Sequence, residues 1–341
     1  MRRGAETGVK RIKNIPFYNK ERIFCVIDDV LRRKLWILTL LLAASVEVMA
    51  QYDPSFSHYW AMETAYNPAA AGKQNKMNVV GAYNMSLVGF EHNPKTMYLS
   101  ADMPFQLLGM VHGVGAQLVN DDIGVFSHKK FSVMYAPQIK LLGGVLGIGI
   151  QPVMLSENLK GSELEFNDPG DMVLPTSDVT GTAFDLNAGL YYQHGWWYVG
   201  ASVQHVLAPR VEIGETNQLD IDPAYYFTSG CNIRLNNPFL SIQPSVMGRT
   251  DGVGYRADIT TRLTYNYEQR LMYVGVGYSP TNSITAYLGG KFHGVMLGYS
   301  YEYNTTVQSL GNGGHELFVG YQTDINFAKK GRNRHQSVRL L

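Results

Sequence analysis

Hydrophobic and polar positions alternate along residues 184–206, with one short break at Gln193-His194-Gly195. A period of two indicates β-strands, because successive side chains of a strand point to opposite faces. Two such runs joined by a short Gly-containing break predict a β-hairpin. Each run has about ten residues with aromatic side chains near its ends, which suits a strand that crosses a bilayer with its apolar face to lipid. A hairpin of a soluble β-sandwich would show the same alternation, so this stretch alone leaves two folds open.

The alternation also assigns the faces of the first run of this hairpin. An apolar set is predicted to face lipid, and a mostly polar set is predicted to face the interior. The apolar set is Phe184, Leu186, Ala188, Leu190 and Tyr192, and the interior set is Asp185, Asn187, Gly189 and Tyr191.

The same alternation recurs along the rest of the chain and predicts fourteen strands. In the clearest run, 255–266, three charged side chains share one face, which fits a wet lumen better than a sandwich core. Pro244 in strand 239–248 cannot donate a ladder hydrogen bond, so this segment predicts either a bulge or no strand. The predicted strands are 77–85, 96–102, 110–119, 129–138, 143–154, 182–192, 196–206, 225–235, 239–248, 255–266, 270–279, 283–291, 294–303 and 315–327.

The lengths of the connections favour a barrel over a sandwich. Long connections at one end and tight turns at the other are typical of outer-membrane barrels, and an even strand number places both termini at the periplasmic end. The sequence therefore predicts an all-β fold, a transmembrane antiparallel up-and-down β-barrel of about 14 strands over 77–327, in the cell outer membrane. The longer connections are 86–95, 120–128, 155–181, 207–224, 249–254, 280–282 and 304–314, and the tighter ones are 103–109, 139–142, 193–195, 236–238, 267–269 and 292–293.

Residues 1–50 are predicted to be a leader that contains a signal peptide. Arg32-Arg33-Lys34 precedes the apolar run 35–46, and Val48-Met49-Ala50 places small residues before a cleavage site after Ala50. Basic, apolar and small segments in this order are typical of secretory signal peptides. The apolar run is too short for a stable membrane-spanning helix.

Charge and cysteine content narrow the function classes. The chain of 341 residues has a net charge of +1; ten of its 29 Lys and Arg and five of its 28 Asp and Glu lie in the leader, which leaves a net charge of −4 after cleavage. This balance argues against a nucleic-acid partner. Of the two cysteines, Cys25 leaves with the leader and Cys231 remains alone, so the exported chain has no internal disulfide.

Residues 51–76 show no clean period and are predicted to form an N-terminal latch or plug before the first strand. Their aromatic residues favour a latch over the alternative, a disordered linker. The turn-forming run Asn67-Pro68-Ala69-Ala70-Ala71-Gly72 restricts the backbone and is small enough to lie against another backbone. We expect this segment to follow a fixed path across the periplasmic mouth of the barrel, with Phe56, Tyr59 and Trp60 as apolar anchors.

Several fragments, in order and spacing, resemble the PorP/SprF family, the outer-membrane barrel component of the type IX secretion system of Bacteroidota. The resemblance covers essentially all of the chain after the leader. It implies protein export and, in some members, surface display of gliding adhesins. It also implies partners, either other type IX subunits (periplasmic ring proteins or lipoproteins) or a secreted cargo or adhesin. The fragments are Gln51-Tyr52-Asp53-Pro54-Ser55-Phe56-Ser57, Asn67-Pro68-Ala69-Ala70-Ala71-Gly72, Ser100-Ala101-Asp102-Met103-Pro104, Gly113-Val114-Gly115, Asn120-Asp121-Asp122-Ile123-Gly124, Gly298-Tyr299-Ser300-Tyr301 and Gly314-His315-Glu316.

Two groups of candidate functional residues follow. The first group is the family motif with its aromatic anchors, which we expect to act as a latch that contacts a partner. The second group is a set of charged side chains that we expect in the lumen. The lumen set would either line a pore or, the reading we favour, form a paired network that fills a closed barrel. The latch residues are Phe56, Trp60, Asn67, Pro68, Ala69 and Gly72, and the lumen residues are Arg234, Arg256, Asp258, Arg262 and Glu302.

Other candidate chemistry is weak. The nine histidines show no recurrent ligand spacing and are predicted to be surface or capping residues rather than metal ligands. Ser, His and Asp occur without a nucleophile motif, so neither enzymatic activity nor a cofactor is predicted, with a membrane-embedded hydrolase as an alternative. A pore for small solutes is a further alternative to the export function.

Two charged segments complete the sequence prediction. The acidic loop 156–181 contains Asn167-Asp168-Pro169-Gly170-Asp171, whose hard oxygens suit calcium, but its spacing favours a solvated loop. The basic tail 328–341 is predicted to project into the periplasm. It would either dock on an acidic partner surface or serve as a solubilising end.

Overall fold

Fourteen long antiparallel strands form one closed β-barrel. The computed structural model describes residues 53–74, 76–163, 177–214, 217–268, 270–280, 282–305 and 312–324. Consecutive barrel strands pair with each other, and the first strand (Lys76–Met85) pairs with the last (Gly314–Asp324), so the wall closes. The strands are β1 (Lys76–Met85), β2 (Lys95–Leu107), β3 (Met110–Ile123), β4 (Phe126–Leu141), β5 (Gly144–Leu159), β6 (Val179–His194), β7 (Trp197–Gln204), β8 (Arg210–Ile213), β9 (Asn217–Asp220), β10 (Ala224–Cys231), β11 (Ile233–Arg234), β12 (Leu240–Thr250), β13 (Tyr255–Tyr267), β14 (Arg270–Ser279), β15 (Ser283–Phe292), β16 (Val295–Asn304) and β17 (Gly314–Asp324).

The two faces of the wall carry opposite chemistry, which confirms the barrel prediction. Apolar side chains point outward: Phe184 is 63% exposed and Ile259 is 47% exposed. Their polar neighbours point inward: Asp185 is 0% exposed and Thr260 is 1% exposed. An outward apolar band around a polar interior is the arrangement that a lipid bilayer requires of a barrel. No helix within the described part of the chain is long and apolar enough to cross a bilayer.

The connections differ in length between the two ends of the barrel. One end, the turn end, has several two-residue turns and carries the start of β1 and the end of β17; the opposite end is the loop end. The long connection predicted over 120–128 is wrong, because β3 and β4 continue to a two-residue turn, Gly124-Val125. The two-residue turns at the turn end include Leu108-Gly109, Leu142-Gly143, Gly195-Trp196 and His293-Gly294.

Strands β2 to β6 are longer than predicted. The outer residues of β4, for example, continue to pair with β5 as far as Leu159. Ladder hydrogen bonds form equally well beyond the bilayer, so the end of the apolar band does not end a strand. The predicted loop 207–224 also contains the hairpin β8–β9, whose Val211 and Ile213 are buried against Val153 and Leu155 of β5. These runs are too short to show a clear period in the sequence.

Pro244 lies within β12, so the strand prediction is confirmed there. The ladder between β10 and β12 stops at Gly230–Ser245 and resumes with Ile233–Ile242, after the break in the strand at Asn232. Pro244 has no N–H group to donate at this break. The N–H of Asn232 donates instead to the carbonyl of Trp196, at 2.7 Å.

Candidate functional site

The interior of the barrel holds the chain that precedes β1. We call residues 53–74 the inner segment. It includes the short helix α1 (Glu63–Tyr66) and the 3₁₀ turn Pro68–Ala70. Asp53 lies among residues of the loop end, and Gln74 accepts a hydrogen bond from Gln322 near the end of β17. The inner segment therefore runs through the lumen from the loop end to the turn end.

Asn67 shapes the 3₁₀ turn and fastens it to the wall. Its side-chain oxygen accepts a hydrogen bond from the Ala69 N–H at 3.0 Å, which is a capping interaction at the start of the turn. Its amide nitrogen donates to the carbonyl of Leu190 at 2.9 Å. One side chain thus forms hydrogen bonds with both the turn and a strand of the barrel.

Glycines on the inner face of the wall allow the backbone of the inner segment to come into contact with the strands. A Cβ atom at Gly149 would lie 2.2 Å from the Ala69 nitrogen, and one at Gly113 would lie 2.0 Å from the Ala71 oxygen. Neither position has room for a larger residue, because the opposing atoms belong to the backbone. Gln138 also donates to the Ala71 carbonyl at 3.0 Å. The small residues of the motif therefore match a row of small residues on the wall.

A buried ionic cluster anchors the loop-end part of the inner segment. The Asp53 carboxylate lies 3.0 Å from the Lys130 ammonium and 3.2 Å from the His205 ring, and it accepts a hydrogen bond from Tyr226. The other ring nitrogen of His205 lies 2.6 Å from Asp185. Burial alone would raise the pKa of Asp53, but Lys130 and His205 outweigh burial and hold this pKa well below its ordinary value. The cluster pairs its charges, as buried charges require.

A second cluster forms around Glu316 of β17. Its carboxylate accepts hydrogen bonds from the backbone N–H groups of Ser57 and His58 at 2.7 and 2.9 Å. It also lies 2.6 Å from His58 Nδ1 and accepts a hydrogen bond from Asn84. Glu316 and His58 are 1% and 0% exposed, so this acceptor satisfies donors that water does not reach.

Aromatic rings fill the space between these clusters. Phe56, Tyr59 and Trp60 of the inner segment belong to one buried group with rings of the wall. Trp60 packs edge-on against Tyr273, and the His58 ring stacks on Phe318. Packed side chains therefore close the lumen at this level.

The predicted latch residues come together, but inside the barrel. Phe56, Trp60, Asn67, Pro68, Ala69 and Gly72 are all buried between the inner segment and the wall. The expected path across the mouth of the barrel is wrong. The wall glycines, the pairing of Asp53 with Lys130 and His205, and the hydrogen bonds to Glu316 hold the segment in the lumen. In this arrangement the latch residues contact the wall, and contact with a partner would require the segment to move out.

The five predicted lumen residues divide into three groups. Arg256 lies 2.9 Å from Asp258 and 3.3 Å from Glu302, so these three form a paired network. Arg262 lies apart, with its guanidinium carbon 3.5 Å from the centre of the Trp60 ring. Arg234 is exposed in β11 and lines a cavity at the turn end.

Sequence reasoning missed the partners of the inner segment. Predicting surface or capping positions was wrong for His58 and His205, which are buried in carboxylate clusters. Lys130 and Glu316 were also missed, although both occupy inward positions of their strands. Inward glycines opposite the run of small residues at 69–72 were the signal that this segment lies against the wall.

Several predicted segments lie outside the described residues. These are the leader 1–50, the calcium candidate 167–171 and the tail 328–341. Their proposed roles stay predictions.

Comparisons with known proteins give one family match and several weak structural similarities. The model of the family "Type IX secretion system membrane protein PorP/SprF" matches residues 48–321. The search of curated proteins finds no match. Among solved structures, the CymD monoaromatic hydrocarbon channel is similar at 11% identity and a TM-score of 0.46, covering 78% of this chain and 93% of that one. A Pseudomonas aeruginosa FadL homologue is similar at 11% identity and a TM-score of 0.43, covering 73% of this chain and 89% of that one.

With identities of 11% and TM-scores below 0.5, these two similarities carry no conclusion about fold or function. The family match extends over most of the chain, and the wall has the apolar outer band of a membrane barrel. The protein is located in the outer membrane. The chain belongs to the PorP/SprF family of type IX secretion system membrane proteins.

Proposed function

We propose that this barrel serves the type IX secretion system by binding periplasmic subunits or a secreted cargo protein at its turn end, which faces the periplasm. Its role is that of an interaction component, and we assign no catalytic reaction and no cofactor to it. The inner segment supports this proposal because its packed aromatic rings close the lumen between the two ionic clusters. A protein that works by contact needs no open channel.

The observation that carries the proposal is a set of exposed apolar residues on three successive turns. Leu108, Leu142 and Trp196 form this set, which we call the turn patch. They are 89%, 85% and 61% exposed. Exposed apolar residues that cluster at one place on a protein mark interaction surfaces.

The backbone strengthens this argument for the two leucines. Leu108 and Leu142 have φ angles of 52° and 47°, in the left-handed region that Gly, Asn and Asp prefer. A leucine there costs on the order of 1–2 kcal/mol. Neither burial nor turn geometry explains this choice of residue, whereas contact with a partner does.

The test replaces both leucines with asparagine. Leu108→Asn and Leu142→Asn favour the observed turn geometry, so the barrel should assemble normally and keep its heat-modifiable mobility. Burial of one leucine contributes roughly 1.5–3 kcal/mol, so loss of two should weaken partner binding by about two orders of magnitude or more. We expect less copurification of periplasmic subunits with the tagged barrel and less protein secretion in the complemented deletion strain.

His293→Asn is the matched control. His293 has a φ of 50° in a two-residue turn on another part of the same rim, and it lies outside the turn patch. Its variant should secrete and copurify as the wild type does. Normal secretion by the double leucine variant would contradict the proposal. A smaller amount of assembled barrel in the double leucine variant would instead indicate that the leucines anchor the barrel in the membrane interface.

A pore for small solutes is the second candidate, and one observation favours it. A cavity of about 1070 Å³ lies at the turn end, beside Trp60 of the inner segment. Conduction would require the inner segment to shift. Single-channel recordings decide this point, because a large and stable conductance of the isolated barrel would favour transport over interaction.

A further inference from the structure

The cavity at the turn end has the size of a small-molecule site. Its volume of about 1070 Å³ is slightly above the usual range for ligand pockets, roughly 300–1,000 Å³. Its lining includes Trp60, Tyr191, Trp197 and Tyr198, which supply broad apolar faces. Aromatic walls with a few polar groups are typical of pockets that bind organic ligands.

The charges of this lining are unequal. Among the described residues that line the cavity, Lys73, Arg234 and Arg262 are cationic and Glu63 is the only carboxylate. Glu63 is already engaged, because it forms an ion pair with Lys73 and accepts a hydrogen bond from Tyr191 at 3.1 Å. The cavity therefore carries a positive charge that its own acid does not neutralise.

Arg262 is the centre of this excess charge. Its guanidinium lies over the Trp60 ring, with 3.5 Å between the guanidinium carbon and the ring centre. Arg262 forms no ion pair with a carboxylate of the described residues. Its buried Nε has no hydrogen-bond partner within the described residues. A half-buried cation without a counter-ion costs free energy that an anionic group would offset.

The stacked geometry prepares Arg262 to bind an anion. The ring of Trp60 lies against the guanidinium, and the guanidinium N–H edges donate to no described residue. Those edges match a carboxylate, which accepts two parallel hydrogen bonds from one arginine.

The cavity also adjoins the break in the barrel wall. Cys231 and Asn232 lie opposite Gln243 and Pro244, where the ladder between β10 and β12 is interrupted, and all four residues line the cavity. Cys231 thereby becomes a chemical reporter within the site.

We propose that this cavity is a binding site for a small organic anion, a carboxylate with an aromatic or apolar body, whose carboxylate pairs with Arg262. The body of the ligand packs against the Trp and Tyr side chains of β6, β7 and the inner segment. The site shares Trp196 with the turn patch, and the two leucines of the turn patch do not line it.

Calorimetric titration of the full barrel in phosphatidylcholine nanodiscs tests the site, with phenylbutyrate as the probe and empty nanodiscs as the blank. We expect saturable one-site binding. Phenylbutylamine, which has the same body and the opposite charge, should bind at least about tenfold more weakly, because it replaces a charge-assisted pair with repulsion. Phenylbutyrate should also slow the alkylation of Cys231 by N-ethylmaleimide.

Variants locate the interaction. Arg262→Gln should weaken phenylbutyrate by about tenfold or more, and Arg262→Lys should restore part of the affinity. Arg210→Gln is the matched control, since Arg210 is an exposed arginine of the β8–β9 hairpin. Equal binding of the acid and the amine, or unchanged affinity in Arg262→Gln, would overturn the proposal. So would absence of saturable binding by the wild-type barrel. The secretion assays on the turn-patch variants test the proposed function, and their outcome does not decide whether the cavity binds an anion.

Discussion

The Glu316 carboxylate is the point at which one substitution should loosen the inner segment most selectively. It accepts hydrogen bonds from the backbone of Ser57 and His58, from the His58 ring and from Asn84. Three of these four donors belong to the inner segment. Glu316→Ala removes the acceptor and leaves these donors buried without a partner.

The magnitude follows from the burial of the group. Removal of one partner from a buried charged cluster costs about 3–5 kcal/mol. Burial of Phe56, Tyr59 and Trp60 opposes release of the segment, at roughly 4–6 kcal/mol for each ring. The aromatic contribution exceeds the loss, so the segment should remain in the lumen and open locally more often. A change of 3–5 kcal/mol corresponds to about two to four orders of magnitude in the opening equilibrium.

Hydrogen exchange followed by mass spectrometry measures this opening. Peptides that cover residues 53–62 should lose protection in Glu316→Ala by about two to four orders of magnitude, while peptides from β14 should not change. Glu302→Ala is the control, because the described partners of Glu302 are Arg256 and Ser283 of the wall. Unchanged protection in Glu316→Ala would refute the reasoning, and so would an equal loss in Glu302→Ala.

Two further substitutions test the wall. Ile259→Arg places a charge on the lipid face and should destabilise the barrel by about 2–4 kcal/mol, measured by urea unfolding. Thr260→Ala on the inner face should destabilise it less. Equal losses of stability would contradict the assigned faces. Gly149→Val places a side chain against the Ala69 backbone and should cost about 1–3 kcal/mol, whereas Gly248→Val has open space around its Cβ. Comparable losses of stability in the two glycine variants would show that the close contact between Gly149 and Ala69 does not stabilise the barrel.

Local periodicity explains why the wall was predictable. Apolar and polar side chains must alternate along a strand that separates lipid from a polar interior. The sequence around Phe184 and Asp185 therefore predicts both the strand and the face on which each side chain lies. The strand ends were less predictable. Beyond the bilayer neither face is forced to be apolar, and the ladder continues without the pattern, as it does to Leu159 in β5.

The path of the inner segment depends on contacts that no local pattern encodes. Asp53 pairs with Lys130, 77 residues away, and Ser57 pairs with Glu316, 259 residues away. The prediction that this segment only crosses the mouth would leave the barrel interior independent of it. The observed burial makes the segment part of the core, so its aromatic residues contribute to stability as well as to any function.

The two proposed sites meet at Trp196. This residue is exposed in the turn patch, and it also lines the cavity that contains Arg262. A partner that covers the turn patch would therefore cover one of the residues that line the cavity. Binding free energies of two ligands that share a residue are coupled, and the coupling is reciprocal. An organic anion held at Arg262 would then change the affinity of the barrel for its partner by the same factor by which the partner changes the affinity for the anion.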